Sequence, residues 1–257
     1  MKLCINVAVN IGIVSFLLLM MAVFAFIVLK NGMPERMERK RSEAHPVIGT
    51  FLIEYWMWLV VTPFEKICLA LRLSPTAITF GALGWHIAGG IMIGLGNFTA
   101  GGWFFLLGAT FDILDGLIAR RTGKVTSAGA YYDSVIDRYG ELATLFGFGW
   151  YYKDVSQWGL LLAALVGAGA LMVSYTRARA EALNVKGSSG GFMQRPERAF
   201  FIGIVTAGDC FITCFVEEGM RYPMHWPVIV VLAFVALGAN ITAIQRIAAT
   251  VKEIGKK

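Results

Sequence analysis

Residues 100–137 read AGGWFFLLGATFDILDGLIARRTGKVTSAGAYYDSVID. The stretch opens with an apolar run, 100–119, of the length a membrane-crossing helix needs, about 20 residues. The end of that run carries Asp112 and Asp115, three apart and therefore on one helix face. After the short link RTGKVTSAG come Asp133 and Asp137, four apart and again on one face. The link is tight enough for the two helix ends to face each other. Four carboxylates at the edge of a bilayer repel one another and are costly to desolvate, and ionisable groups inside spans usually mark function. Divalent cations relieve such repulsion, and hard oxygen donors favour Mg²⁺, Mn²⁺ or Ca²⁺. Gly116, Ala119 and Gly129 are small, so a ligand can come close to the helix backbone beside the carboxylates. Aspartates that merely cap helix ends would not recur at helical spacing on both sides of one turn.

The rest of the chain fits a membrane bundle. Of its 257 residues, 57% are hydrophobic and only 16% charged, against roughly 45–50% and about 25% in soluble domains. Apolar runs predict spans near 8–29, 76–96, 100–119, 134–152, 157–176, 199–216 and 226–247. The fold class expected is all-α, a polytopic transmembrane helical bundle of six core spans plus one extra N-terminal span. The first run is too long for the apolar part of a cleaved leader and no small-x-small site precedes Lys30, so it reads as a retained anchor. Three regions follow: 1–45, an anchor and charged linker; 46–73, an amphipathic helix at the interface, where Tyr55, Trp56 and Trp58 are favoured; and 74–257, the six-helix domain that carries the aspartates. Ser74 and Pro75 form a helix start, a capping serine with proline at the first helical position.

Charge sets the orientation. With an odd number of spans and the N-terminus outside, every Lys and Arg except Lys2, Lys153 and Arg221 falls on one side, which by the positive-inside tendency is the cytoplasm. The net charge of +6 then suits anionic headgroups, not nucleic acid, for which no motif is present. Cys4, Cys68, Cys210 and Cys214 sit in apolar surroundings without metal-type spacing, and His45, His86 and His225 are far apart in sequence. Buried free thiols are expected, and neither a disulfide framework nor a histidine metal site.

A second constellation is basic: SYTRARAE over 174–181, GGFMQRPER over 190–198, and Arg246 near the end of the last span. Arginine is suited to bidentate phosphate recognition. Taken singly, each arginine also satisfies the positive-inside tendency, and Arg179 or Arg195 has Glu181 or Glu197 as a nearby acidic partner. Arg177, Arg198 and Arg246 lie in separate segments with no evident acidic trio to match, which suggests a dianionic ligand.

The aspartate stretch matches D-x-x-D-G-x-x-A-R-x8-G-x-x-x-D-x-x-x-D at every fixed position, and in this it resembles the CDP-alcohol phosphotransferase (CDP-alcohol phosphatidyltransferase) family over roughly residues 46–250. The resemblance implies that Asp112, Asp115 and Asp133 hold Mg²⁺ or Mn²⁺, with Asp137 as metal ligand, general base or both. It implies that Gly116, Ala119, Arg120 and Gly129 bind the CDP moiety, and that the protein is a homodimer in the inner membrane. The basic pattern is similar to that of the phosphatidylinositol-phosphate synthase branch, in which Arg177, Arg198 and Arg246 would hold the acceptor phosphate; Arg177 stands where a lysine is usual. What the resemblance implies is transfer of the phosphatidyl group of CDP-diacylglycerol to an inositol phosphate. Glycerol 3-phosphate and free inositol are the alternative acceptors. A divalent-cation transporter, the reading from another class, calls for carboxylates deep in several spans.

Overall fold

In the computed structural model the described residues are 2–32, 50–185, 190–217, 220 and 222–256, with side chains from Val7 onward; the charged linker and the start of the 46–73 segment lie outside them. All regular elements among them are helical. In chain order they are α1 (Lys2–Asn31), α2 (Thr50–Trp56), a π-helical turn (Met57–Val61), α3 (Thr62–Ala70), α4 (Pro75–Gly94), α5 (Phe98–Arg121), α6 (Ser127–Tyr152), α7 (Gln157–Ala182), α8 (Arg195–Gly208), α9 (Cys210–Val216) and α10 (Trp226–Ile254). α1, α4, α5, α7 and α10 are long and apolar enough to cross a membrane, and α8 with α9, bent by 46°, makes a sixth if the pair is one span. The protein is an integral membrane protein. α6 is equally long, at 26 residues, but carries Asp133, Asp137 and Arg138 in its first half and Glu141 just past its middle.

Local chemistry sets the helix starts. Ser74, Asn97, Thr126 and Ser156 each accept a hydrogen bond from the backbone N–H three residues on, satisfying donors that an N-terminus leaves free. The expected start at Ser74–Pro75 is therefore observed. Pro63 has no N–H to offer inside the segment 50–70; the backbone shifts there to the wider π register, and the hydroxyl and N–H of Thr62 both reach Met57 O. α10 starts at His225, in the left-handed region at φ 52°, and the Glu217 carboxylate accepts from the N–H groups of His225 and Trp226.

The bundle core joins Ile93, Phe98, Phe105, Phe148, Val166, Ile202 and Leu232 from six helices. Small residues allow the closest approaches. A Cβ on Gly90 would overlap the backbone at Ala143, and one on Gly147 the backbone at Gly90, so α4 and α6 touch main chain to main chain. The segment 50–70 is not a solvated strip. Met57, Val61 and Cys68 pack on Ile78, Leu114 and Ile118 at the ends of α4 and α5, and Glu65, 2% exposed, pairs with Arg121 at 2.8 Å.

α1 is docked rather than trailing. Phe24 packs on Tyr55, and the Tyr55 hydroxyl donates to Leu17 O. Asn10, 1% exposed, donates to Ala207 O at 2.8 Å beside the break between α8 and α9, and accepts from Trp103 Nε1 at 2.8 Å. A broken membrane helix leaves backbone groups that water cannot reach. Asn10→Leu removes these bonds, and a third to Cys210 Sγ at 3.2 Å, without changing volume much. The expected result is a loss of about 1–2 kcal/mol, read as a lowered Tm of the detergent-solubilised chain with little change in CDP binding.

Candidate active site

α5 and α6 form a hairpin closed by residues 122–126, and this hairpin brings the four aspartates together at one end of the bundle. The four feel one another's charge. Asp115 and Asp137 are buried, and the Asp112 side chain is 7% exposed. The Thr79 hydroxyl of α4 donates to Asp115 Oδ2 at 2.6 Å. Asp112 Oδ2 receives His86 Nε2 at 3.3 Å and Arg195 Nη2 at 2.5 Å; the other arm of the same guanidinium, Nη1, donates to Asp137 Oδ2 at 2.5 Å. Arg195 thus clamps α5 to α6 across the site.

The clamp is held from α10. Met193 N–H donates to Thr242 Oγ1 at 3.0 Å, and Arg246 Nε donates to Gly190 O at 2.8 Å. Thr242 and Arg246 stand four apart on one face of α10, so they pin the loop that leads into α8. Pro196 at the second position then starts the helix with Arg195 at its mouth.

Gly116 has Arg120 folded back over it: a Cβ there would lie 3.3 Å from Arg120 Nη1. Gly129 N–H donates to Thr126 Oγ1 at 3.0 Å. Ala119 and Gly129 are half-buried and Arg120 is exposed, so this side of the hairpin is open to a ligand.

The basic residues are arranged differently from the sequence expectation. Arg198 is 1% exposed and meets both Glu141 oxygens, at 2.7 and 2.9 Å, tying α8 to α6. Arg246 is 3% exposed and donates to Gly190 O and, at 2.7 Å, to Val173 O. Arg177 pairs with Glu181 at 2.9 Å, not Arg179 or Arg195. Two of the three arginines therefore have acidic partners, and Arg198 is committed to the fold. Among the arginines near the cluster, Arg195 at 32%, Arg138 at 36% and Arg177 at 54% face solvent, where a bound anion can reach them. Arg246 feels the charges of both Arg177 and Arg198. Arg177 also lines a groove of about 730 Å³ between α6 and α7, with Ser134, Arg138, Tyr139, Ser174 and Tyr175.

The sequence pattern alone does not assign Arg195 to the aspartate site. Its signal was present: a cation in the first turn opposes the helix macrodipole, and Pro196 marks that first turn. His86 is far in sequence from the other histidines and so suggests no histidine metal site, yet an imidazole inside a span is itself such a signal.

The donor set fits a hard divalent cation. It is all oxygen, and Asp137 Oδ1 is buried without a hydrogen-bond partner. Among the described residues no three acidic, His or Cys groups stand close enough to hold an ion as they lie. An ion entering the cluster would compete with Arg195 for Asp112 and Asp137.

An apolar bundle with an acidic, cation-competent cluster at one end, ringed by arginines, defines a membrane enzyme of phosphate-ester chemistry. The family model for CDP-alcohol phosphatidyltransferase matches residues 72–238, and the chain belongs to that family. It is 29% identical over 217 residues to a phosphatidylinositol phosphate synthase of Streptomyces avermitilis, covering 82% of this chain and 87% of that protein. Its structure is similar to the crystal structure of Mycobacterium tuberculosis phosphatidylinositol phosphate synthase with CDP-DAG bound, at TM-score 0.62 and 26% identity, covering 74% of this chain and 93% of that one. The same enzyme in complex with manganese and citrate aligns at TM-score 0.63, also at 26% identity, covering 74% and 88%. The family match begins at residue 72 and so leaves out α1, α2 and α3.

Proposed function

We propose that this chain transfers the phosphatidyl group of CDP-diacylglycerol to an inositol phosphate, releasing CMP. The observation that carries the reading is the aspartate hairpin, complete in its motif and placed at one end of a membrane bundle, with an arginine that bridges its two helices. An ion path calls for its carboxylates along several spans, whereas the four of the motif gather at one end of α5 and α6.

Asp112, Asp115, Asp133 and Asp137 would hold the Mg²⁺ or Mn²⁺. Bound there, a divalent ion neutralises charge on the diphosphate and on departing CMP. Gly116, Ala119, Arg120 and Gly129 line the approach of the CDP moiety. The acceptor hydroxyl gives its proton to Asp137, and its oxygen attacks the phosphorus on the lipid side. The bond from that phosphorus to the bridging oxygen breaks, and CMP leaves with the electron pair. Arg177 and Arg195 face the acceptor phosphate, while Arg246 and Arg198 hold the surrounding segments in place. The site and the C-terminus face the cytoplasm, on the side that collects the basic residues, and the protein acts as a homodimer.

Labelled CDP-diacylglycerol, offered with inositol phosphate, glycerol 3-phosphate, inositol or serine in parallel, tests the reading by the lipid formed. Phosphatidylinositol phosphate is expected, and a product from free inositol or glycerol phosphate transfers the assignment to that acceptor. Excess chelator should abolish turnover, and full activity in chelator would sink the metal-assisted scheme. Arg177→Ala loses a charge-assisted contact of about 1.5–3 kcal/mol, or roughly 10–150-fold in acceptor KM, with CDP binding kept. An equal, small effect on all acceptors would make Arg177 a headgroup or topology contact.

A further inference from the structure

His86 touches the aspartate cluster and has no role so far. It lies on α4, in the middle of the bundle, and is 2% exposed. Burying an imidazole in an apolar bundle is costly unless its nitrogens find partners, and an aliphatic side chain would fill the same space without that cost. The neighbouring helices nevertheless make room for it. A Cβ on Gly108 of α5 would lie 2.8 Å from the imidazole, and one on Gly140 of α6 would lie 2.7 Å from it. Two helices thus omit a side chain at the same point, and the ring sits between them, edge-on to Phe105 at 5.0 Å between centroids. Thr144 Oγ1 of α6 lies 3.2 Å from His86 O, which ties the two backbones at this level.

The ring's contact with the cluster is specific. Nε2 meets Asp112 Oδ2 at 3.3 Å, and since a carboxylate oxygen accepts, Nε2 carries the hydrogen. Nδ1 is buried with no hydrogen-bond partner. Arg195 Nη2 donates to that same Oδ2. Both donors therefore hold one oxygen of Asp112, and among the described residues no hydrogen bond reaches the other. Two donors on Oδ2, from α4 and α8, fix the plane of the carboxylate and leave Oδ1 outside their grip.

We propose that His86 is a positioning residue for Asp112, holding Oδ2 so that Oδ1 is presented to a divalent cation and the diphosphate it neutralises. The inference rests on the reading of the aspartates as a cation site. It adds a residue from outside the motif and a reason for the paired glycines. Arg195 differs from His86 in being half-accessible and shared with Asp137, so an arriving cation can displace it. His86 stays on Oδ2 whatever Arg195 does.

The probe is Mn²⁺ itself, followed by electron paramagnetic resonance on the purified full-length chain with CMP present. Loss of a hydrogen bond behind a metal ligand typically weakens metal affinity by roughly 10–100-fold. His86→Leu should show a loss of that size, and His86→Gln, whose amide can still donate, should recover most of it. Gly140→Ala keeps the histidine but displaces the ring, and should weaken Mn²⁺ in the same direction. That variant keeps the test open if His86→Leu does not fold, as judged by its melting profile. Wild-type Mn²⁺ affinity in folded His86→Leu, or equal losses in the Leu and Gln variants, overturns the proposal and leaves His86 as packing. A wild-type chain that binds no Mn²⁺ overturns the cation reading of the aspartates, and this inference with it.

Discussion

Asp137→Asn is expected to lower kcat by about 10²–10⁴-fold, the usual contribution of a positioned general base, while the variant still binds CDP-diacylglycerol. Asp112→Asn is expected to lose both turnover and nucleotide binding. The contrast follows from what each carboxylate touches. Asp112 is held on one oxygen by His86 and Arg195, an arrangement that suits a fixed ligand. Asp137 is held by Arg195 on Oδ2 and has a buried Oδ1 with no partner, an acceptor available for a proton. The amide of Asn keeps the shape and removes the charge, so both variants should stay folded. Equal loss of CDP binding in the two would make Asp137 an essential metal ligand. Binding is measured by calorimetry with CDP-lipid in micelles, and turnover by CMP release.

Arg198→Ala is expected to act on stability before it acts on any substrate. The guanidinium is buried against both oxygens of Glu141, at 2.7 and 2.9 Å. Removing one partner of a buried pair leaves the other uncompensated, at a cost of about 3–5 kcal/mol. The variant should unfold at a markedly lower temperature in detergent. A double variant with Arg198→Met and Glu141→Leu should recover much of the loss, since it leaves no charge behind. If instead Arg198→Ala melts like the wild type and only the KM for a phosphorylated acceptor rises, Arg198 is a substrate contact and its place as a tie between α8 and α6 is wrong.

Much was determined by the sequence alone. Composition and run lengths define a helical membrane bundle, because each span must satisfy its own backbone and bury apolar side chains. Asp112, Asp115, Asp133 and Asp137 were legible as one cluster, because helical spacing and a short turn leave little freedom in where they point. The helix start at Ser74 was legible for the same local reason. Partners distant in sequence were not. Arg195 is 83 residues from Asp112 and His86 is 26, and Glu141 finds Arg198 across 57. Charge pairing depends on which helix faces which, and that is set by the close approach of α4, α5 and α6 at their glycines. For the same reason only the tertiary structure could decide which arginines face solvent and which are spent inside the fold. Asn10 on α1, joined to Ala207 and Trp103, is settled at that level too: a lone polar residue in an apolar run has no partner until the helices pack.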